Sequence, residues 1–165
     1  MAGSVGVALV GVQRACLANA DFEAGIRHPF MTNLQRDTVA AIAEHIIPAT
    51  DTPGAIDAGV PQFIELMLSD WYTPEERAPV EAGLQSLDAQ CREKYQRAFL
   101  ACDREQQIEV LSGLQDNEYF QLLKSLTVYG YYTSEVGVKA ELDYNPAPGR
   151  YTTIDFAEVG RQWAN

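Results

Sequence analysis

Residues 43–72 read AEHIIPATDTPGAIDAGVPQFIELMLSDWY, and the reading of this stretch decides the fold. It begins inside an apolar stripe made by Leu34, Val39, Ala41, Ile42, Ala43, Ile46 and Ile47, which recur at roughly helical spacing behind Asn33 as the expected N-cap. Pro48 stops that helix, because proline has no N–H to continue the ladder. Three prolines and two glycines over residues 48–61 then make a loop by composition. Pro61 suits the first turn of a second helix, whose stripe is Phe63, Ile64, Met67, Leu68 and Trp71. Helix, loop, helix follows, with no alternation of period two to suggest a strand.

Working outward, Thr73-Pro74-Glu75-Glu76 is a helix start: an N-cap hydroxyl, proline in the first turn, then acids at the positive end of the helix dipole. Val80, Leu84, Leu87, Cys91 and Tyr95 extend this third helix. Asp103 to Gln106 reads as a capping box opening a fourth, with Ile108, Val110, Leu111 and Leu114 behind it. A fifth begins near Asn117 and carries Tyr119, Phe120, Leu122, Leu123, Leu126, Tyr129 and Tyr131. After Gly137 the helical signal fades, and YNPAPGRYTTIDF (144–156) is broken by proline and glycine. The expected architecture is an all-α, single-domain bundle of about five helices with an irregular C-terminal arm. No GxGxxG or GxxxxGK[ST] stands ready to cradle a phosphate.

The chain has 165 residues, of which 47% are hydrophobic, enough for one core and too few for two ordinary domains. Its formal charge of −11 argues against phosphate backbones and anionic headgroups as partners, so no nucleic acid is expected. No apolar run reaches the ~20 residues of a membrane span. Cys16, Cys91 and Cys102 form no CxxC, and His28 and His45 no HExxH, so no metal site is expected. Residues 1–20 are apolar at first and end in Ala18-Asn19-Ala20, like an export leader's cleavage site, but no Lys or Arg precedes the apolar run and Arg14 interrupts it. They read as the remnant of an export leader or as an apolar arm.

The stretch VYGYYTSEVG (128–137) admits a catalytic and a structural reading. A tyrosine acting as general acid needs a nearby cation to lower its pKa from ~10, yet Glu135 lies four residues after Tyr131 and would raise it. Ser134 has no histidine near it in sequence and no Gly-x-Ser-x-Gly around it. His45 beside Glu44 is a lone base at most; a core-edge histidine bonded to backbone explains it better. Tyrosine clusters also serve interfaces, since each ring gives rigid contact area and a polar tip. Tyr129 and Tyr132 are expected to line the core in part, while adjacent tyrosines cannot all face inward.

Residues 43–72, the GLQSLDAQCREKYQRAF helix (83–99), YFQLLKSLTVYGYYTSEVG (119–137) and the late PGRY (148–151) resemble the gluconate 2-dehydrogenase subunit 3 family, over most of the chain from about residue 34. The resemblance implies the small, cofactor-free subunit of a periplasmic sugar, sugar-acid or glycoside dehydrogenase, with residues 21–165 as the small-subunit domain. The large subunit would hold FAD in a glucose-methanol-choline oxidoreductase fold, do the chemistry, and pass electrons on, often to a cytochrome c. The small subunit would stabilise it and carry it through twin-arginine export, although this chain shows no twin arginine. On this reading Tyr131, Tyr132, Thr133, Ser134, Tyr144 and Tyr151 are the partner-binding residues. The runners-up are a stand-alone oxidoreductase using His45 or Tyr131, and a free-standing helical interaction protein. A periplasmic chain also raises the question of a Cys91–Cys102 bridge. On one straight helix these residues would lie about 16 Å apart, but a turn back between Arg97 and Ala101 would let them meet and add on the order of 3 kcal/mol; a buried Cys91 unrelated to Cys102 is the alternative.

Overall fold

The computed structural model describes residues 31–144 and 163–164. Among these, six α-helices follow one another: α1 (Asn33–Ile46), α2 (Val60–Leu66), α3 (Pro74–Tyr95), α4 (Arg104–Ser112), α5 (Glu118–Thr133) and α6 (Glu135–Glu141). A π-turn (Met67–Trp71) prolongs α2, and a 3₁₀ turn (Phe99–Ala101) joins α3 to α4. A two-residue parallel ladder pairs Asp143–Tyr144, which is β1, with Trp163–Ala164, which is β2. The all-α expectation holds. The expected leader or arm at residues 1–20 lies outside the described residues, as does most of the expected C-terminal arm, Tyr151 included.

Helix starts follow local chemistry. The Thr73 and Asp103 side chains each accept from the backbone N–H three residues on, while Glu76 and Gln106 reach back to complete capping boxes. The first helix is capped one residue earlier than expected: Thr32, not Asn33, bonds the Gln35 N–H. The sequence reading missed α6. Ser134 sits in extended geometry after α5, donates to the Tyr131 carbonyl, and accepts from the Gly137 N–H. One serine therefore ends a helix and starts the next, with no glycine or proline to mark the break.

The core gathers Val39 and Ile42 from α1, Val60, Ile64 and Leu68 from α2 and its π-turn, Val80, Leu87 and Cys91 from α3, and Leu123 and Tyr131 from α5. Two glycines set how closely α5 lies on its neighbours. A methyl at Gly83 of α3 would fall 2.3 Å from the Tyr119 ring, and one at Gly130 of α5 would fall 2.7 Å from the Phe63 ring. Both crossings are aromatic ring against bare backbone. Some expectations about facing fail: Leu34, placed in the stripe of α1, is 61% exposed. Trp71 is 78% exposed, because the i→i+5 bonding of the π-turn takes more residues per turn and the 63/64/67/68 stripe is not carried to position 71. Ile108, expected inside, is also exposed.

Polar contacts join the helices. The Arg36 guanidinium of α1 meets the Glu65 carboxylate of α2 at 2.6 Å, with Glu65 almost fully buried. At the end of α3, Glu109 of α4 accepts from Lys94 Nζ and from the Tyr95 hydroxyl, each at 2.6 Å. Lys94 first, then Tyr95, holds the Glu109 carboxyl below its usual range.

Candidate partner interface

The loop between α1 and α2 is built by one carboxylate. Glu44, in the last turns of α1, accepts from the Ala49 N–H at 2.8 Å through Oε1 and from the Ile56 N–H at 3.1 Å through Oε2. The Ala55 N–H also donates to the Ile47 carbonyl. These bonds fold residues 49–56 back over the end of α1. Gly54 is needed there, since a methyl would lie 2.4 Å from Glu44 Oε1 and 2.6 Å from the Ala49 nitrogen.

The folded-back loop is fastened to the far end of the chain. The Tyr131 hydroxyl of α5 donates to the Pro53 carbonyl at 2.8 Å, and Thr52 Oγ1 donates to Glu141 Oε1 of α6 at 2.7 Å. Tyr131 is 1% exposed. Burial pushes its phenol above the usual range, and the Glu141 charge adds to that. Tyr131 is thus buried in the isolated chain and tethers the loop to α5, unlike the exposed positions read beside it as partner-binding residues.

The residues either side of it do face outward. Tyr129 is 68% exposed, Tyr132 43% and Val128 40%. The core reading of Tyr129 does not hold, since the helical phase that buries Tyr131 turns position 129 to the opposite side. Tyr132, also read as a partner-binding residue, is exposed beside Tyr131. Tyr132 is held edge-on to the Tyr131 ring, with centroids 5.3 Å apart at 85°. Along the exposed side of α5 the sequence runs Gln121, Lys124, Ser125, then Val128, Tyr129, Tyr132 and Thr133. One solvent-facing stripe therefore changes from polar to aromatic over its last two turns. Thr133 Oγ1 donates to the Tyr129 carbonyl, and Thr133, Ser134, Glu135, Val138 and Lys139 line a shallow cleft beside the aromatic end. Tyr144 lies in β1, just past α6.

The other tempting groups have structural employment. His45 Nε2 lies 2.7 Å from Gln107 Oε1, and Gln107 Nε2 donates to the Phe99 carbonyl at 2.9 Å, so the histidine joins α1 to α4 through a side chain rather than through backbone. Glu76 and Asp103 cap helices. Among the described residues no three His, Cys, Asp or Glu side chains converge as a metal site, and no helix is long and apolar enough to cross a membrane.

These polar side chains cap, clasp and tether, and two exposed tyrosines, Tyr129 and Tyr132, stand together at the end of α5. The family model described as gluconate 2-dehydrogenase subunit 3 matches residues 33–149, well over half of the chain, and the protein belongs to that family. It is accordingly of the type that serves as a subunit of a dehydrogenase complex, with a dehydrogenase subunit as its partner. No curated protein and no solved structure gives a match.

Proposed function

We propose that the chain is a non-catalytic small subunit that docks on the FAD-containing, glucose-methanol-choline-type large subunit of a sugar, sugar-acid or glycoside dehydrogenase. It stabilises that subunit, accompanies it to the periplasm, and leaves flavin chemistry, and electron delivery to an acceptor such as a cytochrome c, to its partners. The observation that carries this reading is the exposed aromatic end of α5: Tyr129, Tyr132 and Val128 displayed together on the rim of a folded domain. Tyrosines of this kind bury large rigid areas on association, and a few such residues usually dominate the affinity. Membership of a dehydrogenase-subunit family supports a dehydrogenase subunit as the protein that would cover them.

The test is co-purification from the native host with a tag on the C-terminus of this chain. A yellow flavoprotein should come down with it and reduce a dye in the presence of sugars. The Tyr129→Ala/Tyr132→Ala double variant should fold, yet lose that flavoprotein. A chain recovered alone and colourless would overturn the reading, and flavin bound to the isolated chain would replace it with an enzyme. Co-export is read by fractionation: the large chain should reach the periplasm only when this chain is made with it.

A further inference from the structure

Cys91 and Cys102 are eleven positions apart in sequence, and both are buried and unbridged in the structure. The chain between them doubles back. The helix α3 ends at Gln96 in left-handed backbone geometry, φ 57°, which breaks the helical course. The 3₁₀ turn that follows is pinned to α3 by Asp88, whose Oδ1 accepts from the Phe99 N–H at 2.9 Å. Three residues beyond Asp88 along α3 stands Cys91; three beyond Phe99, one 3₁₀ turn on, stands Cys102, its own N–H bonded to the Phe99 carbonyl. The Asp88–Phe99 bond lays the turn against α3, and both cysteines are buried in the same core, where Cys102 is an electrostatic neighbour of the Cys91 thiol.

We propose that Cys91 and Cys102 are a disulfide-forming pair that staples the end of α3 to the entrance of α4. The inference rests on this geometry and not on the docking reading above. The oxidant is a disulfide donor, either a small-molecule disulfide or a protein of the thiol-oxidase type. One cysteine thiolate attacks the donor's disulfide and releases one donor thiol. The second cysteine then attacks the mixed disulfide and releases the other. Two protein thiols become one S–S bond, and the donor takes the two electrons and ends as two thiols. Burial first, and Cys102 next, push the Cys91 thiol up to about 11, so the attacking thiolate is scarce in the closed fold at neutral pH. The bridge therefore closes while the chain folds or when this corner opens.

The experiment refolds the full chain from urea in an oxidised glutathione buffer and compares it with the same chain refolded in dithiothreitol. Three readouts are taken: intact mass, alkylation of the unfolded product followed by peptide mapping, and thermal melting. The expected product has lost two hydrogens and contains a linked Cys91–Cys102 peptide with Cys16 free. Its Tm is higher, on the order of 6–12 °C for a loop of this length in a chain of this size. The proposal is overturned if both thiols remain alkylatable after oxidative refolding, if Cys16 is the preferred partner of either, or if the bridged chain melts below the reduced one.

Discussion

Replacing Tyr131 separates the tether from the surface it sits beside. Tyr131→Phe keeps a ring that is 1% exposed and removes only the hydroxyl that donates to the Pro53 carbonyl at 2.8 Å. A lost hydrogen bond of this type costs about 1–2 kcal/mol, part of it from leaving a half-buried carbonyl without its donor. Tyr131→Ala removes the ring as well. Emptying an aromatic site in a core costs about 3–5 kcal/mol, and the edge contact with Tyr132 is worth about 1 kcal/mol more. With the hydrogen bond included, the Ala variant should therefore lose about 5–8 kcal/mol, a large share of the ~5–15 kcal/mol that holds a domain together. Urea unfolding followed by far-UV circular dichroism measures both, with the midpoint shift taken at equal slope. Partner capture should survive in the Phe variant. Two results would refute the reasoning: an Ala variant within about 2 kcal/mol of the parent, or a Phe variant of normal stability that no longer captures the flavoprotein. The second would put the hydroxyl itself at the interface.

The Tyr129→Ala/Tyr132→Ala pair should change stability by less than about 1 kcal/mol, since both rings are exposed, while co-purification of the large subunit falls sharply. Glu44→Gln keeps the shape but trades one acceptor oxygen for an amide that cannot accept from both the Ala49 and Ile56 N–H groups; a loss of about 1.5–3 kcal/mol should appear in denaturant unfolding, with faster hydrogen exchange at Ile56. Gly83→Ala drives a methyl to 2.3 Å from the Tyr119 ring and should cost about 1–3 kcal/mol or more, seen as a lower Tm. Stability should fall as pH rises above 9.0: the Cys91 thiol holds its proton to about 11 in the folded chain, so the unfolded chain binds fewer protons and the slope is negative from 9.0 to about 11. Tyr119, raised by burial from 10.0 to about 12, extends the decline, and Cys91→Ser should remove the first part of it in a pH series of thermal melts.

The helices that announced themselves did so through capping chemistry and apolar spacing, both local properties. Thr73-Pro74-Glu75-Glu76 and Asp103 to Gln106 carry their starts in four consecutive residues, and the structure keeps both. What stayed hidden depends on phase or on distance. The π-turn shifts Trp71 out of a stripe that a straight helix would have continued. Seven residues of α6 are too few for a periodic signal, and the serine that starts it looks like any loop serine. In the tyrosine cluster the sequence required that not every ring be buried, but which ring went inside was decided by the Pro53 carbonyl, 78 positions away. A contact of that separation leaves no trace in local spacing. The clasp at Glu44 was equally unreadable, because a glutamate ahead of a proline-rich loop is common and only the folded-back backbone gives it two donors.

Tyr131 and its neighbours have a consequence for how the aromatic face is set. The bonds from the loop to Tyr131 and Glu141 span 78 and 89 positions, and contacts of such separation close late, after the local helices have formed. Together with the packing of Gly130 on the Phe63 ring, they set the rotation of the last turns of α5 and so the direction in which Tyr129 and Tyr132 point. The setting of the aromatic face at one end of the domain thus depends in part on a loop from the other. On the docking reading proposed above, a partner gripping Tyr129 and Tyr132 would meet a face whose setting includes contacts made with the other end of the domain.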